Sequence, residues 1–131
     1  MPSLRVMVAL VVVLGLAACQ SEDDRPATYT YIQAAILAPH CATIGCHSEY
    51  GDVRGYHFDV YDEAYRTLTG AECGAPVLGS LVVPGMPGSS FLVAVMRGGN
   101  GVKRQMPPDR PLPEKDIELI EQWILEGATC E

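Results

Sequence analysis

Two cysteines and a histidine stand within seven residues of one another, Cys41-Ala-Thr-Ile-Gly-Cys46-His47. Side chains of these types in this order suit covalent attachment of a haem. Each thiol can form a thioether to one vinyl group, and the imidazole beside the second thiol then lies under the iron as its proximal ligand. The usual attachment signature has two residues between its thiols; this one has four. A second axial ligand must come from elsewhere, and thioether or imidazole are the common choices. Met106 is the leading candidate, because Pro107-Pro108 directly after it restrict the backbone and lower the cost of ordering a flexible thioether. Met86, set between Pro84-Gly85 and Pro87-Gly88, occupies a similar loop. His57 is a third choice, and bis-histidine ligation would lower the potential relative to histidine–methionine. Met96 falls in a helical stretch and reads as core, and His40, next to Cys41, is poorly placed to reach the opposite haem face.

The elements that must hold these groups are helical. Thr30 to Ala38 reads as a first helix with Tyr31, Ile32, Ala35 and Ile36 on one face, stopped or kinked by Pro39 just before the first thiol. Asp59 is the expected N-cap of a second helix through Leu68, with Val60, Ala64 and Leu68 as its buried stripe and Gly70 as its stop. Residues 70–88 are rich in glycine and proline and form a long irregular connection. Ser89 or Ser90 is the expected cap of a third helix, Phe91 to Arg97, which ends at Gly98-Gly99. The last helix starts at Pro113 or Glu114, buries Ile117, Ile120, Trp123 and Ile124, turns Glu118, Glu121, Gln122 and Glu126 to solvent, and ends at Gly127. No strand-like alternation of useful length is present. The expected fold is all-α: about four short helices with long Gly/Pro-rich loops around one haem.

The first residues read as a targeting signal. Arg5 precedes an apolar run, Val6 to Leu16, that is too short to span a bilayer. Leu16-Ala17-Ala18-Cys19 resembles the lipobox of bacterial lipoproteins, a resemblance that implies cleavage before Cys19 and lipidation of that cysteine. Gln20, not aspartate, follows it, which favours the outer membrane in that family. Residues 1–18 are thus the signal, 19–29 a polar lipidated tether, and 30–131 one small domain. Loss of Arg5 leaves eight basic against sixteen acidic residues, a mature charge of about −8. Nucleic acid is a poor partner for such a chain, whereas a protein with a basic docking face is a good one.

Five cysteines remain to be accounted for. With Cys19 lipidated and Cys41 and Cys46 on haem, Cys73 and Cys130 form a disulfide in an oxidising compartment. A rival partition pairs Cys41 with Cys46 and Cys73 with Cys130, and counting does not choose between the two.

The order of features also resembles the small cytochrome c domains of bacterial envelope proteins. That order is a helix, the thiol pair with histidine, glycine-rich loops, Met106-Pro107-Pro108, and a helix ending Trp123-Ile124-Leu125-Glu126-Gly127-Ala128. The likeness runs from about Tyr31 to Ala128 and departs from the family in the four-residue gap. It implies crossed first and last helices, Trp123 beside the haem with Ile120 and Ile124, and Met106 as distal ligand. It further implies one covalent haem c and electron transfer between redox partners on the periplasmic side of the cell envelope. No substrate-activating acid–base pair stands near the thiols, so an enzyme is not expected. Arg54, Arg97, Lys103 and Arg104 are available to haem propionates without any one being singled out. Two other readings compete. One is a haem-free, disulfide-stapled envelope lipoprotein acting as a binding or structural module. The other is a zinc site from Cys41, Cys46, His47 and His57.

Overall fold

The computed structural model describes residues 23–99 and 101–131; the expected signal and the expected lipidation at Cys19 lie outside them. Thr28 caps the first helix, its side chain accepting the Tyr31 N–H. Helix α1 then runs continuously over residues 29–41 in three parts: Tyr29–Ile32, a wider π-helical turn Gln33–Leu37, and a last turn Ala38–Cys41. Pro39 therefore does not stop it. A proline inside a helix lacks an N–H and crowds the carbonyl four residues back. The π turn immediately before Pro39, closed by the Ala38 N–H on the Gln33 carbonyl, adds a residue to the turn and lets the helix continue. The wider turn also resets the buried face to Ile32, Gln33, Ile36 and Leu37, leaving Ala35 exposed and Tyr31 half-buried. Cys41 consequently sits on the last turn of a helix.

Helix α2, Tyr61–Thr69, buries Ala64, Tyr65, Leu68 and Thr69 and ends at Gly70, whose φ of 73° is the left-handed conformation glycine adopts without strain. Val60, at the N-cap, is only half-buried and provides no side-chain cap. Asp59 is not the cap that its position suggests. Its carboxylate instead accepts the Glu49 N–H at 3.0 and 3.2 Å, and Asp62 and Glu63 in the first turn supply the negative charge that a helix N-terminus favours.

Helix α3 is Phe91–Arg97. Ser90 occupies its N-cap position but does not cap it, because its buried hydroxyl is committed to the preceding loop: it accepts from the Val83 N–H at 2.9 Å and donates to the Met86 carbonyl at 3.0 Å. Helix α4, Glu114–Leu125, buries Ile117, Ile120, Trp123 and Ile124, and also Asp116 and Leu119. The irregular connection before α3 is stitched to three helices by Val82 N–H to Leu68 O, Leu92 N–H to Leu81 O and Gly85 N–H to Ile124 O. The described residues are all-α, with four helices, no strand, and no helix long and apolar enough to cross a membrane.

Tyr29 is the hub of the core. Its ring lies 4.8 Å from Tyr61, 4.9 Å from Tyr65 and 5.7 Å from Trp123, so α1 meets both α2 and α4 there. Its hydroxyl donates to the Tyr61 carbonyl at 2.7 Å, and its N–H donates to the Glu131 carbonyl. The fold therefore starts earlier than the expected tether boundary. Tyr29 is fully buried, Ala27 packs on the core, and Arg25 pairs with the buried Asp116 of α4. Cys73 and Cys130 are bonded across 57 residues of sequence, which ties the C-terminus to the loop after α2 and contributes about 2–4 kcal/mol.

Tyr29→Phe keeps the rings in contact and removes only the hydroxyl. It should lower the free energy of unfolding by about 1–2 kcal/mol, and Tyr29→Ala by about 3–5 kcal/mol. Urea denaturation at neutral pH checks both, and a loss below about 0.5 kcal/mol for Tyr29→Phe would deny the hydroxyl its bonding role.

Candidate functional site

Cys41 ends α1, and the chain then folds back on it. The Cys46 N–H donates to the Thr43 carbonyl at 2.9 Å, and Gly45 between them has a φ of 85°, the conformation a tight turn requires at this position. The His47 N–H then returns to the Cys41 carbonyl at 3.0 Å. The four residues between the thiols are thus taken up by a turn. Ile44 stands at its tip, 85% exposed, while Cys41, Cys46 and His47 are half-buried. Both thiols are free. Burial, followed by the neighbouring Cys46 thiol, pushes the Cys41 thiol up to about 12, so it is protonated at neutral pH.

The orientation of His47 is set by the next loop. Its Nδ1 lies 2.9 Å from the Val53 carbonyl. A carbonyl can only accept, so Nδ1 carries a proton, and in the neutral ring Nε2 then keeps the lone pair that a metal requires. Val53 bonds to the same segment twice, since its N–H also donates to the Cys46 carbonyl at 3.3 Å. Tyr56 and Phe58 flank the imidazole at centroid distances of 5.6 and 5.5 Å, and the Phe58 N–H donates to the His47 carbonyl. Phe58 is in turn held by buried Gln33 of α1, whose Nε2 donates to the Phe58 carbonyl.

Gly51 makes this approach sterically feasible. A Cβ at that position would lie 2.4 Å from the Cys46 carbonyl oxygen and 2.7 Å from its nitrogen, contacts that no rotamer change relieves. On the other side of Val53's approach, Asp52 (φ 47°) and Arg54 (φ 60°) both adopt the left-handed conformation, which is uncommon for residues other than glycine. The sequence signalled none of this, because Val53 acts through its backbone and a backbone carbonyl carries no side-chain signature.

His57 is not a ligand candidate. Its Nε2 bonds to Asp52 Oδ1 at 2.9 Å and its Nδ1 to Glu63 Oε2 at 2.8 Å, so both ring nitrogens face carboxylates. These bonds, to Asp52 first and to Glu63 second, raise its pKa above the ordinary 6.5. The four-residue zinc set is not assembled, and among the described residues no three His, Cys, Asp or Glu side chains are arranged to hold a metal ion.

Met106 is half-buried and outside the apolar core. Its N–H donates to the Val95 carbonyl at 2.9 Å, and neighbouring Gln105 donates from Nε2 to the Met96 carbonyl at 2.7 Å. The loop is therefore fixed to the end of α3, and its hydrogen bonds do not reach Cys41, Cys46 or His47. Met96 is core as expected, and Met86 is 54% exposed. Arg97 is engaged with Glu114 and Glu121, whereas Arg54, Lys103 and Arg104 are exposed. Trp123 is buried, its indole N–H donating to the Thr129 carbonyl. A cleft of about 420 Å³ beside Cys130 is lined by none of Cys41, Cys46, His47 and Met106. No protein-family model, no curated protein sequence and no solved structure matches this chain.

Gly51→Ala should destabilise the chain by about 1–3 kcal/mol through overpacking and expose Cys46, raising its rate of alkylation under native conditions; unchanged alkylation would refute the steric role. The His57 bridge has a definite pH signature. Because the folded-state pKa is raised, its stabilisation is complete below the ordinary 6.5 and is lost as pH rises through the folded value. Urea midpoints over a pH series should show this decline above 6.5 in the wild type and not in His57→Gln.

Proposed function

We propose that this chain is a membrane-tethered electron-transfer protein that carries one covalent haem c on Cys41 and Cys46, with His47 as proximal and Met106 as distal ligand. The observation that carries the reading is the 2.9 Å contact between His47 Nδ1 and the Val53 carbonyl. That bond selects the tautomer with a free Nε2 and fixes the plane of the ring, as expected of an imidazole that serves a metal. Two further features fit the same group. Cys41 and Cys46 are free thiols on either side of one turn, as two thioether anchors require. Met106 is a thioether kept out of the core on a loop pinned to α3.

A haem in this position supplies a one-electron couple, and the protein sets its potential through axial ligands, burial and hydrogen bonds. The chain's own part is positional. Val53, Tyr56 and Phe58 hold the His47 ring, and Gln105 and Met106 hold the loop that presents the second ligand. The acidic surplus, a formal −7 for the whole chain, suits docking to a basic face on a redox partner. Lipid on Cys19 confines the encounter to the surface of the envelope membrane on its periplasmic side.

The test is expression with a c-type maturation system, followed by denaturation in acid and organic solvent. Haem absorbance that stays with the polypeptide is the expected result. A colourless chain with Cys41 joined to Cys46 would establish the haem-free, doubly stapled lipoprotein instead. Met106→Ala should keep the covalent haem and lose the low-spin methionine spectrum; an unchanged spectrum would transfer the distal role to Met86.

A further inference from the structure

We propose that His57 is a positioning residue for His47: by joining Asp52 to Glu63, it holds the Val53 carbonyl against the His47 imidazole. The inference rests on the reading of His47 as an iron ligand and extends it to the groups that orient that ligand.

The contacts form an unbroken series. Glu63, on the first turn of α2, accepts from His57 Nδ1 at 2.8 Å, and His57 Nε2 donates to Asp52 at 2.9 Å. Asp52 is bonded covalently to Val53, whose carbonyl receives the His47 Nδ1 proton. The segment between is unusual. Asp52 and Arg54, on either side of Val53, are both left-handed, a conformation that persists in non-glycine residues only where the surroundings impose it. Within the loop, the Asp52 N–H donates to the Ser48 carbonyl at 2.8 Å and the Ser48 hydroxyl accepts the Gly51 N–H at 3.0 Å. Those bonds are local and would move with the loop. The Asp52–His57–Glu63 bridge instead refers the loop to a helix whose opposite face is in the core.

The charges agree with this role. Asp52 from the loop and Glu63 from α2 face the two ring nitrogens of His57, and a single imidazolium satisfies both carboxylates. Neutral glutamine at position 57 could not, and the two carboxylates would separate. The Val53 carbonyl would then be free to leave His47, releasing both the Nδ1–H tautomer and the plane of the ring.

The experiment follows the neutral form of His47 by side-chain 15N NMR over a pH series, in the mature chain made without haem. In the wild type, the Nδ1–H tautomer should dominate. In His57→Gln and in Asp52→Asn the ratio of Nδ1–H to Nε2–H should fall by about three- to tenfold, the equivalent of one hydrogen bond. Asparagine tolerates the left-handed backbone, so Asp52→Asn isolates the charge from the turn. The thermal midpoint is measured on the same samples, and His57→Lys, which restores a cation between the carboxylates, should recover part of the ratio. An unchanged ratio in both variants overturns the proposal. So does a fall that follows only a matching loss of global stability. Because the readout needs no haem, a failure of covalent attachment would remove the electron-transfer reading and leave this result distinct from it.

Discussion

The structure depends on where Tyr29 sits. A domain of this size, much of it loop, has limited apolar surface to bury, and its rigidity has to be concentrated. Tyr29 concentrates it by placing one ring against Tyr61 and Tyr65 of α2 and Trp123 of α4, while its N–H and hydroxyl tie down the end of the chain and the start of α2. Edge-on aromatic contacts of this kind add to the area they bury. With its N-terminal end fixed in this way, α1 carries Cys41 on its other end as part of a continuous helix. The π turn before Pro39 matters for the same reason. A helix broken at Pro39 would leave the first thiol on a loop.

Beyond Cys41, position is set by backbone hydrogen bonds more than by packing. His47 returns to Cys41, Cys46 closes on Thr43, and Val53 joins Cys46 to the His47 ring. Hydrogen bonds of this type are directional and short in reach, so they require the chain to approach closely. Gly51 permits that approach, and the left-handed residues Asp52 and Arg54 turn the carbonyl inward. The rings of Tyr56 and Phe58 then lie beside the imidazole. A site built in this way holds the plane of the His47 ring through one directed hydrogen bond and two neighbouring aromatic rings.

Charge acts at the periphery of this arrangement. Arg97 joins α3 to α4 through Glu114 and Glu121, and Arg25 joins the N-terminal segment to α4 through Asp116. Exposed pairs such as those of Arg97 contribute little individually; their effect is to orient elements already held by the core and by the Cys73–Cys130 bond. The remaining acidic side chains are left to solvent.

The sequence by itself determined the class of fold, the positions of α2, α3 and α4 to within a residue or two, the burial of Trp123 and Met96, and the Cys73–Cys130 pairing. These follow from helical periodicity, glycine stops and cysteine count, which are local or additive properties. It also brought Cys41, Cys46 and His47 forward, because neighbours in sequence must be neighbours in space. Only the tertiary structure decided that α1 continues through Pro39, that Asp59 and Ser90 bond to loops and cap nothing, that His57 is spent on Asp52 and Glu63, and that Val53 orients His47. Each of these turns on which of several partners a polar group reaches, and a polar side chain or carbonyl carries no mark of its partner until packing has brought the candidates within 3 Å or so of one another.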